Sequence, residues 1–235
     1  MTVLTARDPQ QLSAVAARGE IELAGASAVE VLQWAAAEFG AGFVVTASMQ
    51  DTVLAHLASK VVPGVEVIFL DTGYHFVETI GTADAVEAVY DITLRRVTPA
   101  LTVAEQDAVF GPRLYARDPD KCCEMRKVIP LNNALRGYEA WATGVRRAES
   151  ATRADTKLVE FNARRGKVKL APLAAWSDDE VGAYATANHV LMNPLLQLGY
   201  PSIGCEPCTA PVEPGFDTRA GRWAGSSKTE CGINI

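Results

Sequence analysis

The chain has 235 residues, is 49% apolar and carries a net charge of −6, with 22 basic against 28 acidic residues. That suffices to bury one sizeable core, while the acidic balance excludes a nucleic-acid footprint spread over the surface and leaves room only for local basic clusters. The stretch 1–10 has neither a basic nor an apolar leader pattern, and no run approaches the roughly eighteen uncharged apolar residues of a membrane span. No membrane partner is expected, and a cytoplasmic location with reduced thiols is.

Apolar spacing over 26–39, closed by Gly40, predicts an amphipathic helix, and 42–46 reads as a short buried strand. That strand runs into Ser48-Met49-Gln50-Asp51, after which 52–60 again reads as helix. Pro63-Gly64 turns the chain, and the apolar run 65–70 stops at Asp71-Thr72-Gly73. A helix over 76–89, a strand over 92–97 and a later strand over 139–143 continue the alternation. Successive strand-loop-helix units predict an α/β fold, a doubly wound and mainly parallel sheet with its sites at the carboxyl ends of the strands. Beyond Arg153 the pattern loosens. Residues 158–161 and 168–170 read as short edge strands, and 177–188 as a helix opened by Ser177 with Glu180 at capping-box spacing. From Asn193 the chain is loop-like, with five prolines at 194, 201, 207, 211 and 214 and five glycines between 199 and 225. Such a segment builds little core and suits a mobile arm. The expected organisation is a single α/β domain over 1–208 and a flexible C-terminal tail over 209–235.

Four of the five cysteines fall into two tight pairs, Cys122-Cys123 and Cys205-x-x-Cys208, and the fifth, Cys231, stands near the C-terminus. Adjacent cysteines do not easily bridge each other, and a Cys-x-x-Cys turn aims two sulfurs at one point. Together the pairs furnish four soft ligands for an iron-sulfur cluster or a structural zinc. Two disulfides or four unrelated buried thiols are the alternatives, disfavoured without a secretory leader. Cys231, on the arm, is placed to swing between a pocket and an outside reductant, with a stray terminal cysteine as the alternative.

Three groups of residues point to a small anionic ligand. Ser48 to Asp51 lies between strand and helix, where backbone N–H groups and a helix N-terminus receive a phosphate, although the loop lacks the usual glycines and Ser48 also suits an N-cap. Asp71-Thr72-Gly73 either meets a ribose hydroxyl or an adenine edge, or simply starts a turn. Residues 144–153 set Arg146, Arg147 and Arg153 with Ser150 and Thr152 just past a strand end. Guanidinium forks suit phosphate oxygens, and a solvated basic loop is the alternative. Arg219 and Arg222 repeat the theme in the tail, while Lys121, Arg126 and Lys127 flank the paired cysteines. His56 and His189 read as structural, and His75 adjoins the Asp71 loop.

Together these motifs resemble the assimilatory sulfonucleotide reductases, the PAPS reductase family, and more closely its iron-sulfur branch that reduces adenosine 5'-phosphosulfate (APS). The resemblance runs through most of the chain. It rests on the order and spacing of Ser48-Met49-Gln50-Asp51, Phe69-Leu70-Asp71-Thr72-Gly73-Tyr74, Cys122-Cys123 with Arg126-Lys127, the 144–153 segment, Tyr200-Pro201-Ser202-Ile203-Gly204-Cys205-x-x-Cys208, Arg219-Ala220-Gly221-Arg222-Trp223 and Glu230-Cys231-Gly232.

What the resemblance implies is a PP-loop, adenine nucleotide alpha hydrolase-like fold, a [4Fe-4S] cluster on Cys122, Cys123, Cys205 and Cys208, and Cys231 as nucleophile. By it, Cys231 attacks the sulfur of APS, AMP leaves, and reduced thioredoxin, a transient partner, cleaves the S-sulfocysteine to release sulfite in assimilatory sulfate reduction and cysteine biosynthesis. It further implies substrate contacts from Ser48, Asp51, Asp71, Thr72, Gly73, Lys127, Arg146, Arg147, Ser150, Arg153, Arg219 and Arg222. A two-electron thiol reaction gives the cluster no electron-transfer task, so its role is structural and electrostatic, linked to substrate through Lys127. Reductases without the cysteine pairs typically use the 3'-phosphorylated substrate, which makes its reduction the neighbouring alternative. Family tails commonly read Glu-Cys-Gly-Leu-His, whereas this one continues Ile233-Asn234-Ile235, so the terminal histidine is absent. Two rivals differ in class. An ATP-dependent adenylating enzyme predicts a Ser-Gly-Gly-x-Asp-Ser loop and leaves Cys231 unused. A zinc-stabilised nucleotide-binding module predicts a colourless protein indifferent to Cys231→Ser.

Overall fold

The computed structural model describes residues 7–226 and 228–233. The leader reading over 1–10 falls partly outside them, as do Asn234 and Ile235 of the divergent tail. Among the described residues the first element is helix α1, Pro9–Glu22, whose capping box joins Asp8 and Gln11, and Pro9 takes an early helical position where its missing N–H is no loss. Ser27 and Glu30 form the same device at the start of α2, Ala28–Phe39. Strands and helices then alternate: β1 Phe43–Ala47, α3 Val53–Val61, β2 Val65–Leu70, α4 Val77–Val89 and β3 Ile92–Val97. Four short helices follow: α5 Val103–Phe110, α6 Leu114–Arg117, α7 Pro119–Cys123 and α8 Ile129–Ala134, with a π-helical stretch, Glu124–Val128, between the last two. β4 Ala140–Thr143, β5 Val159–Asn162, β6 Lys167–Leu170 and α9 Asp178–Ala187 complete the regular elements.

The six strands lie in the order β3-β2-β1-β4-β6-β5, parallel throughout except for β5, which runs antiparallel to β6. This is the mainly parallel α/β sheet expected. One expectation is corrected: 168–170 is not an edge strand, because β6 sits between β4 and β5. Lys169, which reads as an edge residue, is buried and paired with Glu160 across the hairpin at 2.9 Å. Val168 and Leu170 on either side are fully buried.

Side chains alternate across the sheet and both faces are covered. Val45 and Val67 join Leu32, Leu57 and Leu12 on the face carrying α1 and α2. Val44 and Ile68 point the other way, onto Leu131, Leu135 and Trp141. From β1 the chain steps to β2 on one side and, later, to β4 on the other. The reversal between β1 and β4 opens a crevice at their carboxyl ends, where ligands of such sheets bind.

Candidate active site

A cavity of about 170 Å³ occupies that crevice. Ser48, Gln50 and Asp51 reach it from the end of β1, Thr72 and His75 from beyond β2, and Thr143, Glu149 and Arg153 from β4 and the loop after it. Lys127 enters from the π-helical stretch, and Gly204, Arg219, Arg222 and Cys231 from the C-terminal segment.

The loop after β1 manages without glycine because Met49 itself takes the left-handed conformation, φ 61°. That costs an L-residue roughly 1–2 kcal/mol. The fully buried Met49 side chain packs with Ala55 and Phe69 and offsets this by roughly 1.5–3 kcal/mol. Asn193 Nδ2 donates to the Met49 carbonyl at 3.0 Å, and Gln50 Oε1 accepts the Ile203 N–H at 2.8 Å, tying the C-terminal segment to the loop. Burial raises the pKa of Asp51, and Arg146 partly offsets the effect.

Asp71-Thr72-Gly73 works as a turn. Asp71 Oδ1 accepts the Gly73 N–H at 3.0 Å, and Gly73 adopts φ 72°, open to glycine at little cost. Thr72 alone of the three lines the cavity; Asp71 and Gly73 stand outside its lining. Arg126, read above only as a flanking cation, is a buried strut. Its Nε donates to the Thr72 carbonyl at 2.5 Å and its Nη1 to Gln106 Oε1 at 2.9 Å, clamping the turn to the cysteine-bearing helix.

Cys122, Cys123, Cys205 and Cys208 line one small cavity beside the first. Thr72 Oγ1 lies 3.3 Å from Cys205 Sγ, and the backbones of His75 and Cys205 form an antiparallel bridge. Burial, reinforced by neighbouring thiols, pushes Cys122 up to about 12 and Cys208 up to about 11. As free thiols both are protonated at neutral pH. Lys127 is the residue shared by the linings of the two cavities. Burial opposes its charge, but the sulfurs of Cys205, Cys231 and Cys123 outweigh burial and raise its pKa.

The cations form an alternating string with carboxylates. Arg146 pairs with Asp178 at 2.7 Å, Glu149 with Arg153 at 2.6 Å, Arg153 with Glu230 at 2.8 Å, and Arg219 with Glu230 at 3.3 Å. Arg222 donates to Ser202 Oγ at 3.2 Å and covers Gly204, where an added Cβ would collide with its guanidinium. Among the described residues, Arg222 Nε and Trp223 Nε1 are buried donors without an acceptor. Buried donors of this kind meet a water or an ion.

Not every candidate converges here. Arg146 lines an adjoining cavity with Asp51 and Asp178. Arg147 is exposed and donates to the Thr156 carbonyl, and Ser150 Oγ bonds Thr152 Oγ1, so both lie outside the main lining. His56 bonds Tyr184 in the structural role expected of it. His75 donates through Nε2 to the Leu70 carbonyl and stacks on Phe69 within the lining. Glu149, Glu230 and Gln50 join the site without being among the substrate contacts that the resemblance implies. Glu149 and Arg153 sit in two short turns parted by the extended Ser150, so no helical spacing announces their pair, and Glu230 stands in the sequence only as part of Glu230-Cys231-Gly232.

The tail is docked in this conformation. Cys231 is 7% exposed and packs with Cys123 and Trp223, the latter held at φ 51°. Among the described residues no helix is long and apolar enough to cross a membrane.

Comparison with known proteins agrees with this geometry. The chain is 56% identical to the adenosine 5'-phosphosulfate reductase of Mycolicibacterium smegmatis over the whole of both chains. It is 59% identical to that of Streptomyces coelicolor over 97% of each. The crystal structure of phosphoadenylyl-sulfate reductase from Candida auris, a phosphate complex, superposes with a TM-score of 0.71 at 29% identity, covering 84% of this chain and 96% of that one. The fold is accordingly PP-loop-like. Residues 42–211 match the model of the phosphoadenosine phosphosulfate reductase domain, and the chain belongs to that family.

Proposed function

We propose that this chain is a thioredoxin-dependent reductase that converts APS to sulfite and AMP in cytoplasmic sulfate assimilation, with Cys231 as the nucleophile. The observation that carries the reading is the single cavity in which Cys231 faces Lys127, Arg153, Arg219 and Arg222 at the carboxyl ends of β1, β2 and β4. The names of the relatives at 56% and 59% identity favour the substrate without a 3'-phosphate.

The nucleotide lies across the crevice, with Ser48 and the α3 N-terminus toward its phosphate and Thr72 beside the ribose. The Cys231 thiolate attacks the sulfate sulfur. A sulfur–sulfur bond forms, the bond from sulfur to the bridging phosphate oxygen breaks, and the electron pair leaves on AMP. Lys127, Arg219 and Arg222 stabilise the negative charge that grows on the leaving phosphate. A reduced thioredoxin thiolate then attacks Cys231 Sγ and expels sulfite with the bonding pair. The second thioredoxin thiol resolves the mixed disulfide, so two electrons come from the dithiol and Cys231 returns to its thiol form.

The four paired cysteines fit a [4Fe-4S] group. All four line one cavity, and thiols are the donors such a group takes. Among the described residues no group of three or more His, Cys, Asp or Glu side chains is placed to hold a metal ion; Cys122, Cys123, Cys205 and Cys208 are the residues that would hold the cluster. When bound, the group supplies structural closure and a concentrated charge that Lys127 feels from the substrate side. The deciding assay measures sulfite release from APS and its 3'-phosphorylated analogue by anaerobically purified protein with reduced thioredoxin, alongside iron content. Four-iron protein that prefers APS is expected. Colourless protein with no sulfite from either nucleotide would overturn the proposal.

A further inference from the structure

Glu230 occupies the arginines that border the nucleophile. Its carboxylate accepts from Arg153 Nε at 2.8 Å and Nη2 at 2.9 Å and from Thr152 Oγ1 at 3.3 Å, and it lies 3.3 Å from Arg219 Nη2. Glu149 takes Arg153 Nη1 at 2.6 Å, so all three guanidinium nitrogens of Arg153 donate to carboxylates. The pairing is sheltered, with side-chain exposures of 12% for Arg153 and 14% for Glu230. A bidentate, half-desolvated guanidinium–carboxylate pair is among the strong polar contacts, unlike an exposed ion pair. Burial alone would raise the Glu230 pKa, yet Arg153 and Arg219 hold it below the usual carboxylate range.

Among the described residues, other polar anchors of 228–233 are an ion pair with an exposed partner and two contacts to backbone carbonyls. Lys228 pairs with the highly exposed Asp120, Arg219 reaches the Thr229 carbonyl at 3.0 Å, and Arg165 reaches the Gly232 carbonyl at 3.4 Å. Glu230 adjoins Cys231 in the chain, so the contact that fixes one fixes the other. Cys231 meets two clients in sequence. The nucleotide needs it in the cavity wall, where it is buried, and thioredoxin needs it outside. The contact that governs docking therefore sets the balance between the two steps.

We propose that Glu230 is an electrostatic latch: a positioning residue that holds Cys231 in the cavity wall through Arg153 and Arg219, and whose release exposes Cys231 to the external thiol. This rests on the reading of Cys231 as the nucleophile. The test compares wild type with Glu230→Gln, which keeps the shape and removes the charge, in the full iron-loaded protein. Amide hydrogen exchange over 228–233 is expected to rise about 10-fold, while exchange in β1 and β2 stays unchanged. In single turnover without thioredoxin, S-sulfocysteine formation from APS is expected to fall about 10-fold, whereas discharge of preformed intermediate by thioredoxin is not slowed. Unchanged exchange in the tail would overturn the latch, and so would equal slowing of both steps. Should the glutamine variant fail to fold, Glu230→Asp, which retracts the carboxylate by one methylene, carries the same comparison. Faster tail exchange in a protein whose wild type forms no S-sulfocysteine would uphold the latch and defeat the catalytic reading instead.

Discussion

Along β1 and β2, Val44, Val45, Val67 and Ile68 are fully buried and packed from both faces. Over the described part of 209–233, by contrast, only Gly221, Trp223 and Cys231 are buried, and the rest is held by ion pairs and backbone turns. The wall that receives the nucleotide is thus continuous with the core, and disturbing it approaches the cost of global unfolding. The segment that carries Cys231 rests on a few polar contacts and is expected to open at lower free energy. The proposed reaction, which shows one thiol to two partners, needs this division: a fixed receptacle and a detachable nucleophile.

The largest break in that comparison comes from the arm. Cys231→Ser is expected to lower sulfite formation by at least about 10³-fold while nucleotide binding, which does not need the thiol, persists. Retained turnover would sink the nucleophile assignment. Trp141→Ala strikes the wall instead. Trp141 is 1% exposed among Val44, Ile68 and Leu135, and truncation there is expected to cost about 3–5 kcal/mol in thermal or denaturant unfolding. Phe216, 70% exposed on the arm, should change stability by no more than about 0.5 kcal/mol when replaced by Ala. Equal losses from Trp141→Ala and Phe216→Ala would erase the distinction drawn here.

Lys127 stands between the two cavities, and Lys127→Ala is expected to lower turnover about 10²-fold with iron content unchanged. Iron loss in that variant would reassign Lys127 to holding the cluster. The smallest effect is that of pH on the arm. The folded Glu230 pKa is depressed, so its contribution is complete above the ordinary glutamate value of about 4.3 and is lost as pH falls through the lower folded value. Tail exchange, corrected for its intrinsic pH dependence, should hold steady from pH 7 to 5 and quicken only in more acid solution. Loosening between pH 7 and 5 would contradict the pairing.

Much of the wall was legible in the sequence. The strands β1 and β2 are compact apolar runs punctuated by Gly40, Pro63-Gly64 and Asp71-Thr72-Gly73, β3 alternates apolar and polar residues over Ile92 to Arg95, and the Ser177–Glu180 cap fixes a helix start within a turn. Helices α5 to α8 leave no periodic signal because four to eight residues barely span two helical periods. α1 leaves little because its buried stripe is only Leu12, Ala16 and Gly19. Arg146 and Arg147 are indistinguishable as sequence, yet one is buried against Asp178 and its neighbour is exposed. β6 looked like an edge because nothing local shows that Lys169 will find Glu160 and pass β4 on its other side.

By itself the sequence determined the alternation of strand and helix, the stock of four paired thiols and one apart, and the family, because periodicity, capping and motif spacing act within a few residues. The tertiary structure alone decided that Lys127 borders both cavities, that Arg126 binds the Thr72 turn, and that Glu230 meets Arg153 across 77 positions of sequence. Those contacts depend on strand order and on where the last segment lies across the sheet, and the closing of such long loops is set by the packing of the whole core rather than by any local preference.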